Sequence, residues 1–545
     1  MPKKLNDRIY SRLIHTISET NGLSLLDTLE LMANSPALPD DIKKETVDFL
    51  SLLNNYRTDQ GPIDGLFQHQ VGQALFRFFQ DFPLRYREEH IHLTGSLTAE
   101  FIYPRLKKLL DGPNKKIYEE KIKAVYGPDC LPINSIEDVD NLIRLKDGEK
   151  FDRYLEILYL AKLTLVDRQA HEEASYHLAE SLWNNYNVGA VRLKFSLSRA
   201  TTLASEQIPG SEAVTPEDVV LGLYTGLKKF KDEHPEFQFI LSPCFRKEPS
   251  FYDSSRFTNK KDDFDNQISE LRRILEENEF LRDSVLEVDT VGSEKDLYRK
   301  SHFQEMKVGF RKLQSIGIKI RSHHGETWQT LRTGIQSVDN AMNIWHVDAV
   351  EHGLSLGINP NFYFHSLFQR VIYKNQNKEA LKRGSIEHSE IENMDWGEYK
   401  EIKEKLLNGT PLDEKEATTF TKTKFHMARE VEHYQHDILN RMIDKQLSVI
   451  ALPSSNKKLT GQFEDYKDHP FSWWEKKGLK LGVGTDNYIT LNTNYIREML
   501  ILLFTDPINL KITKLLLVCT GENRRPFMSQ QLWRMRNQTP VEGGF

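Results

Sequence analysis

Cysteine is scarce. Cys130, Cys244 and Cys519 are the only three in 545 residues, too far apart to frame a disulfide scaffold or a cysteine-type zinc site. That scarcity suits a reducing cytoplasm. No apolar run is long enough to span a bilayer. The opening stretch, Met1-Pro2-Lys3-Lys4-Leu5-Asn6-Asp7, has no apolar signal region, so a cytoplasmic protein with no membrane partner is expected. A basic excess is missing as well. The formal net charge is -6, which argues against a broad duplex-binding surface while leaving room for a local pocket holding one phosphate. What remains is a globular chain, 28% charged and 10% aromatic. Its length suits one large catalytic domain with appendages, or roughly two to four ordinary domains.

Residues 1–85 read as a helical extension, with Leu25, Leu26, Leu29 and Met32 at helical spacing and no cluster of reactive side chains. From residue 86 the pattern changes. Short β-rich runs alternate with helical segments: Glu89–His92, Gly189–Phe195, Phe237–Leu241, Val285–Asp289, Ile318–Ser322, Ala349–Glu351, Leu447–Ala451 and Leu479–Gly484. Strands alternating with helices imply an α/β fold with a parallel sheet, and eight is the number that closes a (β/α)8 TIM barrel. The barrel is expected over 86–505, with a helical insertion at 354–445 after the sixth strand and a tail at 506–545. The extension and the insertion are the expected places for a homo-oligomer contact or a partner protein.

Barrel enzymes keep their chemistry at the C-terminal ends of the strands. The first run here ends in His90-Ile91-His92, the fifth leads into His323-His324-Gly325-Glu326, the sixth into Glu351-His352-Gly353, and the eighth into Thr485-Asp486-Asn487. On a strand, His90 and His92 share a face while Ile91 points into the wall. A lone His-x-His is more often incidental than not; here it has partners in matching places on other runs. Three imidazoles, from His90, His92 and His323, with the carboxylate of Asp486 suit a catalytic Zn²⁺ or another borderline divalent ion. Such an ion makes hydroxide available near neutral pH. Glu326 is placed to move protons without binding the metal, and His352 to hold an attacking water. The set reads as machinery for adding hydroxide to an electron-poor carbon.

In these motifs the chain resembles the adenosine/AMP deaminase family of metal-dependent amidohydrolases. The resemblance rests on His90-Ile91-His92-Leu93-Thr94-Gly95-Ser96, Val291-Gly292-Ser293-Glu294, His323-His324-Gly325-Glu326, Glu351-His352-Gly353, Pro453-Ser454-Ser455-Asn456 and Gly484-Thr485-Asp486-Asn487, which occur in family order. It covers about residues 86–500 and leaves out the extension, the insertion and the tail. It implies one Zn²⁺ per chain on His90, His92, His323 and Asp486. It also implies that Glu326 protonates N1 of adenine, that His352 orients the zinc-bound hydroxide attacking C6, and that Gly292 offers its N–H to N3. His324 stands where the family usually has a small residue and is expected to line or back the pocket.

Two departures bear on the substrate. Thr94 occupies the place of an Asp that, in adenosine deaminases, holds the 5′-hydroxyl. A carboxylate there would repel a 5′-phosphate, whereas a hydroxyl can donate to one. Asn487 replaces a second Asp near N7, and an amide donates where a carboxylate cannot. The expected activity is hydrolytic deamination of AMP or dAMP to IMP or dIMP, part of purine nucleotide metabolism. The alternatives are a deaminase of adenosine or deoxyadenosine, one serving antiviral defence with a larger substrate, or a scaffold that keeps a silent barrel. Arg192, Lys194, Arg199, Arg246 and Lys247 are candidate phosphate contacts, though each taken singly reads more readily as a barrel-wall charge.

Overall fold

Each of the eight predicted runs overlaps one strand of the computed structural model. It describes residues 4–149, 151–197, 214–460 and 465–539. The strands are β1 (Tyr86–His92), β2 (Val188–Ser196), β3 (Gln238–Arg246), β4 (Glu287–Val291), β5 (Lys319–His324), β6 (Ala349–His352), β7 (Ser448–Ala451) and β8 (Lys480–Val483). They form one eight-stranded sheet in the order β1-β2-β3-β4-β5-β6-β7-β8. Parallel pairing is seen from β1 to β2 and from β3 through β7. A parallel bridge from Ile91 to Asp486 brings the segment after β8 back to β1. The expected α/β architecture, a nearly closed (β/α)8 barrel with flanking helices, is present.

Contacts divide the chain into two compact units. The first holds Met1–Ser242, Leu452–Lys467 and Gly482–Phe545; the second holds Pro243–Ala451 and Asp468–Leu481. Strands β3 and β8 each run from one unit into the other.

In the first unit, the extension is five helices, from Leu5–Glu19 to Gln70–Gln80. Their apolar faces are buried at Ile9, Leu13, Leu29, Phe49, Leu75 and Phe78. The tail folds onto them: Leu26 N–H donates to Pro507 O (2.9 Å), Ile512 N–H to Leu23 O (3.2 Å), and Arg536 pairs with Glu19 (3.0 Å). A second feature was not singled out from the sequence. The connection from β1 to β2 is itself a helical lobe, from Ala99–Leu110 to Arg168–Tyr186. It reaches the loop after β8, where Leu145 N–H donates to Thr490 O (2.9 Å) and Arg144 to Asn492 (2.8 Å).

In the second unit, the connection from β6 to β7 is helical as expected: Pro360–Gln376, Ile386–Asn393, Lys400–Asn408 and Glu414–Asp444. The last helix starts at a capping box. Asp413 accepts from Glu416 N–H (2.8 Å) and Glu416 accepts from Asp413 N–H (2.9 Å), satisfying donors that a helix start leaves open. Two buried side chains fasten the insertion to the strand-end loops. Gln435 Nε2 donates to Ser355 O (2.8 Å) and Ile358 O (2.9 Å). Glu390 Oε1 accepts from Leu331 N–H (2.7 Å) and the Tyr363 hydroxyl (2.8 Å).

Candidate active site

The end of β1 and the loop after β8 bring three of the expected ligands together in the first unit. Period-2 alternation turns His90 and His92 the same way and buries Ile91 completely on the other side. Their Nε2 atoms are 3.2 Å apart, and Asp486 Oδ1 is 3.8 Å from the first and 3.6 Å from the second. Ligand atoms about 2.1 Å from a tetrahedral ion stand about 3.4 Å from one another. The three separations bracket that edge, so this donor set fits one Zn²⁺-sized ion.

Several contacts hold Asp486 in place. Its φ is +68, a left-handed value uncommon for a residue with a Cβ. Its N–H donates to His90 O (2.9 Å), while His92 N–H donates to Asp486 O (2.8 Å). Its carboxylate accepts from the Ser455 hydroxyl (2.6 Å) and from Asn487 Nδ2 (2.6 Å). The same Asn487 nitrogen donates to the Tyr154 hydroxyl (2.6 Å), so in this arrangement the amide faces Asp486 and the β1–β2 lobe. Gly484 lets β8 lie against β1, since a Cβ there would be 2.6 Å from that of His90. Behind the pair, burial pushes the Glu88 carboxyl up to about 8, against the pull of the donors around it. Thr94 lies in the turn just past β1, partly exposed.

The ends of β4, β5 and β6 carry a second cluster of titratable groups, in the second unit. His323 Nδ1 is 3.2 Å from Asp289, a contact that fixes the orientation of the ring. Glu326 is buried, and its carboxyl is pushed up to about 8. Burial is the main cause; Lys247 opposes it, and Glu294 and Asp289 add to it. Glu326 is thus a carboxylic acid at neutral pH, able to give a proton. His352 Nε2 lies 3.7 Å from Glu326 Oε1, and the His352 and His323 rings are 5.1 Å apart. Glu294 fixes the loop, accepting from the N–H groups of Gly325 (3.1 Å), Glu326 (2.5 Å) and Thr327 (2.8 Å) and from the Ser337 hydroxyl (3.0 Å). His324 is fully buried against Phe303 and Trp345. Burial, helped by Lys247, holds it well below the usual imidazole range, so it backs the wall as a neutral ring.

Gly292 follows β4 with φ +103, and a Cβ there would be 2.3 Å from the Glu248 carboxylate. That carboxylate accepts from Ser293 N–H (3.0 Å) and pairs with Arg246 (3.0 Å). The cations considered for a phosphate are mostly engaged within the protein. Arg192 pairs with Glu89 (2.6 Å), Arg246 with Glu248, and the buried Lys247 Nζ donates to His323 O. Lys194 is fully buried in β2, and Arg199 lies outside the described residues. Sequence reasoning gave no role to Asp289, Glu88 or Ser455. The signal for Asp289 was present, since Glu287 and Asp289 alternate onto one face at the end of a predicted strand.

No family model matches this sequence, and no curated protein matches it. Solved structures do align with it. An adenine deaminase from Arthrobacter aurescens is 12% identical over 83% of this chain and 99% of its own, with a TM-score of 0.47. A zinc-bound amidohydrolase from Burkholderia ambifaria is 13% identical over 86% and 95%, at 0.46. The N6-methyl-AMP deaminase of Arabidopsis thaliana is 13% identical over 86% and 100%, at 0.47. Likeness at this level assigns no activity to this chain.

Proposed function

We propose that this chain is a metal-dependent hydrolytic deaminase of an adenine 5′-monophosphate, converting AMP or dAMP to the hypoxanthine nucleotide and ammonia. The observation that carries the reading is the tetrahedral-edge spacing of His90, His92 and Asp486. On this reading His323 completes the ligand set. When bound, a zinc-type ion lowers the pKa of a water ligand from about 15.7 to ~7 and supplies hydroxide at neutral pH.

This chain's own groups do the rest. Glu326, a neutral acid, gives its proton to ring nitrogen N1 as water adds at C6 and takes back a proton from that water. His352, 3.7 Å from Glu326, orients the attacking oxygen. The proton left on the added oxygen passes to the C6 amino group, which leaves as ammonia, and the ring keeps the oxygen as the carbonyl of hypoxanthine. Gly292, whose site admits no Cβ, offers its N–H to the base. Asn487 is reassigned to holding Asp486, because its amide nitrogen is directed to that carboxylate and to Tyr154. Thr94 favours the phosphate, since a hydroxyl donates where a carboxylate would repel.

A second reading, deamination of the nucleoside, is favoured by the ion pairs of Arg192 and Arg246 with Glu89 and Glu248. Ammonia release from adenosine, deoxyadenosine, AMP and dAMP, with zinc supplied, separates the two. Turnover of the monophosphates is expected. Turnover of nucleosides alone keeps the chemistry and discards the phosphate. No turnover of any of the four by the zinc-loaded protein discards the reading.

A further inference from the structure

Glu88 lies two residues before the first histidine in β1 and is 1% exposed. Its carboxyl group joins β1 to the loop that carries Asp486. Oε1 accepts from His90 N–H (3.2 Å) and Thr485 N–H (3.1 Å). Oε2 accepts from the Thr485 hydroxyl (2.9 Å) and the Tyr488 hydroxyl (3.0 Å). The two residues flanking Asp486 and Asn487 in the loop are therefore tied to the backbone of a metal-type histidine.

We infer that Glu88 is a positioning residue for the metal centre: it fixes the separation between the His90/His92 pair and Asp486, and so sets metal affinity. The inference rests on the metal-dependent reading above. Asp486 sits in a left-handed conformation that it does not favour on its own. The chain there needs an outside hold, and the Glu88 carboxyl group bonds four polar groups, from both sides of the gap. Without it, Thr485 and Tyr488 lose their buried partner and the carboxylate of Asp486 is free to drift from the tetrahedral edge. Partners that orient metal ligands in this way are commonly worth 10–100-fold in affinity. Glutamine keeps the shape: its carbonyl can accept both N–H groups, and its amide can donate to both hydroxyl oxygens.

The test is zinc affinity of the full chain, by competition with a chromogenic chelator, alongside the melting temperature of the metal-free protein. Glu88→Ala is expected to weaken zinc binding about 10–100-fold, with Glu88→Gln restoring most of it. A purely structural role would lower the melting temperature of Glu88→Ala and leave its zinc affinity at the wild-type value, which overturns the inference. Thr485→Val, which removes one hydroxyl contact and keeps the N–H, covers the case in which Glu88→Ala does not fold. Weaker zinc binding in Thr485→Val supports the inference, and unchanged affinity overturns it. Wild-type protein that binds no zinc instead overturns the metal-dependent reading beneath it.

Discussion

A buried carboxyl pushed toward its neutral form is costly to keep, and the proposed reaction needs one that can give a proton. Glu326 is that group, buried at the end of β5 with its carboxyl pushed up to about 8. Glu326→Gln keeps the shape but cannot shuttle a proton. Its kcat is expected to fall by about 10²–10⁴-fold, with zinc content unchanged by metal analysis. A variant turning over at the wild-type rate would remove Glu326 from the chemistry. His90, His92, His323, Asp486, Glu326 and His352 were all legible as candidate site residues, because each falls where a β-run ends. Their orienting partners were less so. Glu88, Asp289 and Ser455 make their contacts across 397, 34 and 31 residues of sequence, and no local pattern reports such a pairing.

The insertion between β6 and β7 is anchored through Glu390, whose carboxyl burial pushes up to about 7 from an ordinary 4.5. The folded-state value is raised, so the sign is fixed. Glu390 contributes most to stability below pH 4.5, and that contribution is lost as pH rises through about 7, where folding must bury a charge. In Glu390→Gln the carbonyl can still accept from Leu331 N–H and Tyr363, and nothing titrates. Urea unfolding at pH 5 and pH 8 is therefore expected to show wild type losing ground to the variant, by on the order of 3 kcal/mol. A stability difference that does not change with pH would show that Glu390 is already ionised in the fold. The helical nature of this insertion was readable from its periodicity. That the β1–β2 connection forms a helical lobe, and that it delivers Tyr154 to Asn487, was not, since residues 99–186 carry no reactive cluster to draw notice.

For the molecule as a whole, the proposed metal site would make metal binding a folding term, because its donors come from segments far apart in sequence. Zinc in hundredfold excess over its Kd stabilises a native state by about 2.7 kcal/mol. The melting temperature is expected to rise by a few degrees on adding zinc and to fall again with chelator. A melting curve indifferent to both would mean the four proposed ligands do not converge on one ion.

The sequence alone determined the architecture and the inventory of reactive groups. Strand period and strand-helix alternation are local properties, and barrel chemistry collects at strand ends, so counting runs and reading their last residues reaches both. The tertiary structure decided the electrostatic state and the partner of each group. Whether Glu326 holds a proton depends on the absence of water around it. Whether Asn487 faces a substrate or Asp486 depends on a tyrosine 333 residues away. Arginines that look free in sequence meet carboxylates at Glu89 and Glu248 only once the strands pair. Burial and long-range pairing are set by the packing of distant segments, and short-range sequence pattern carries no record of either.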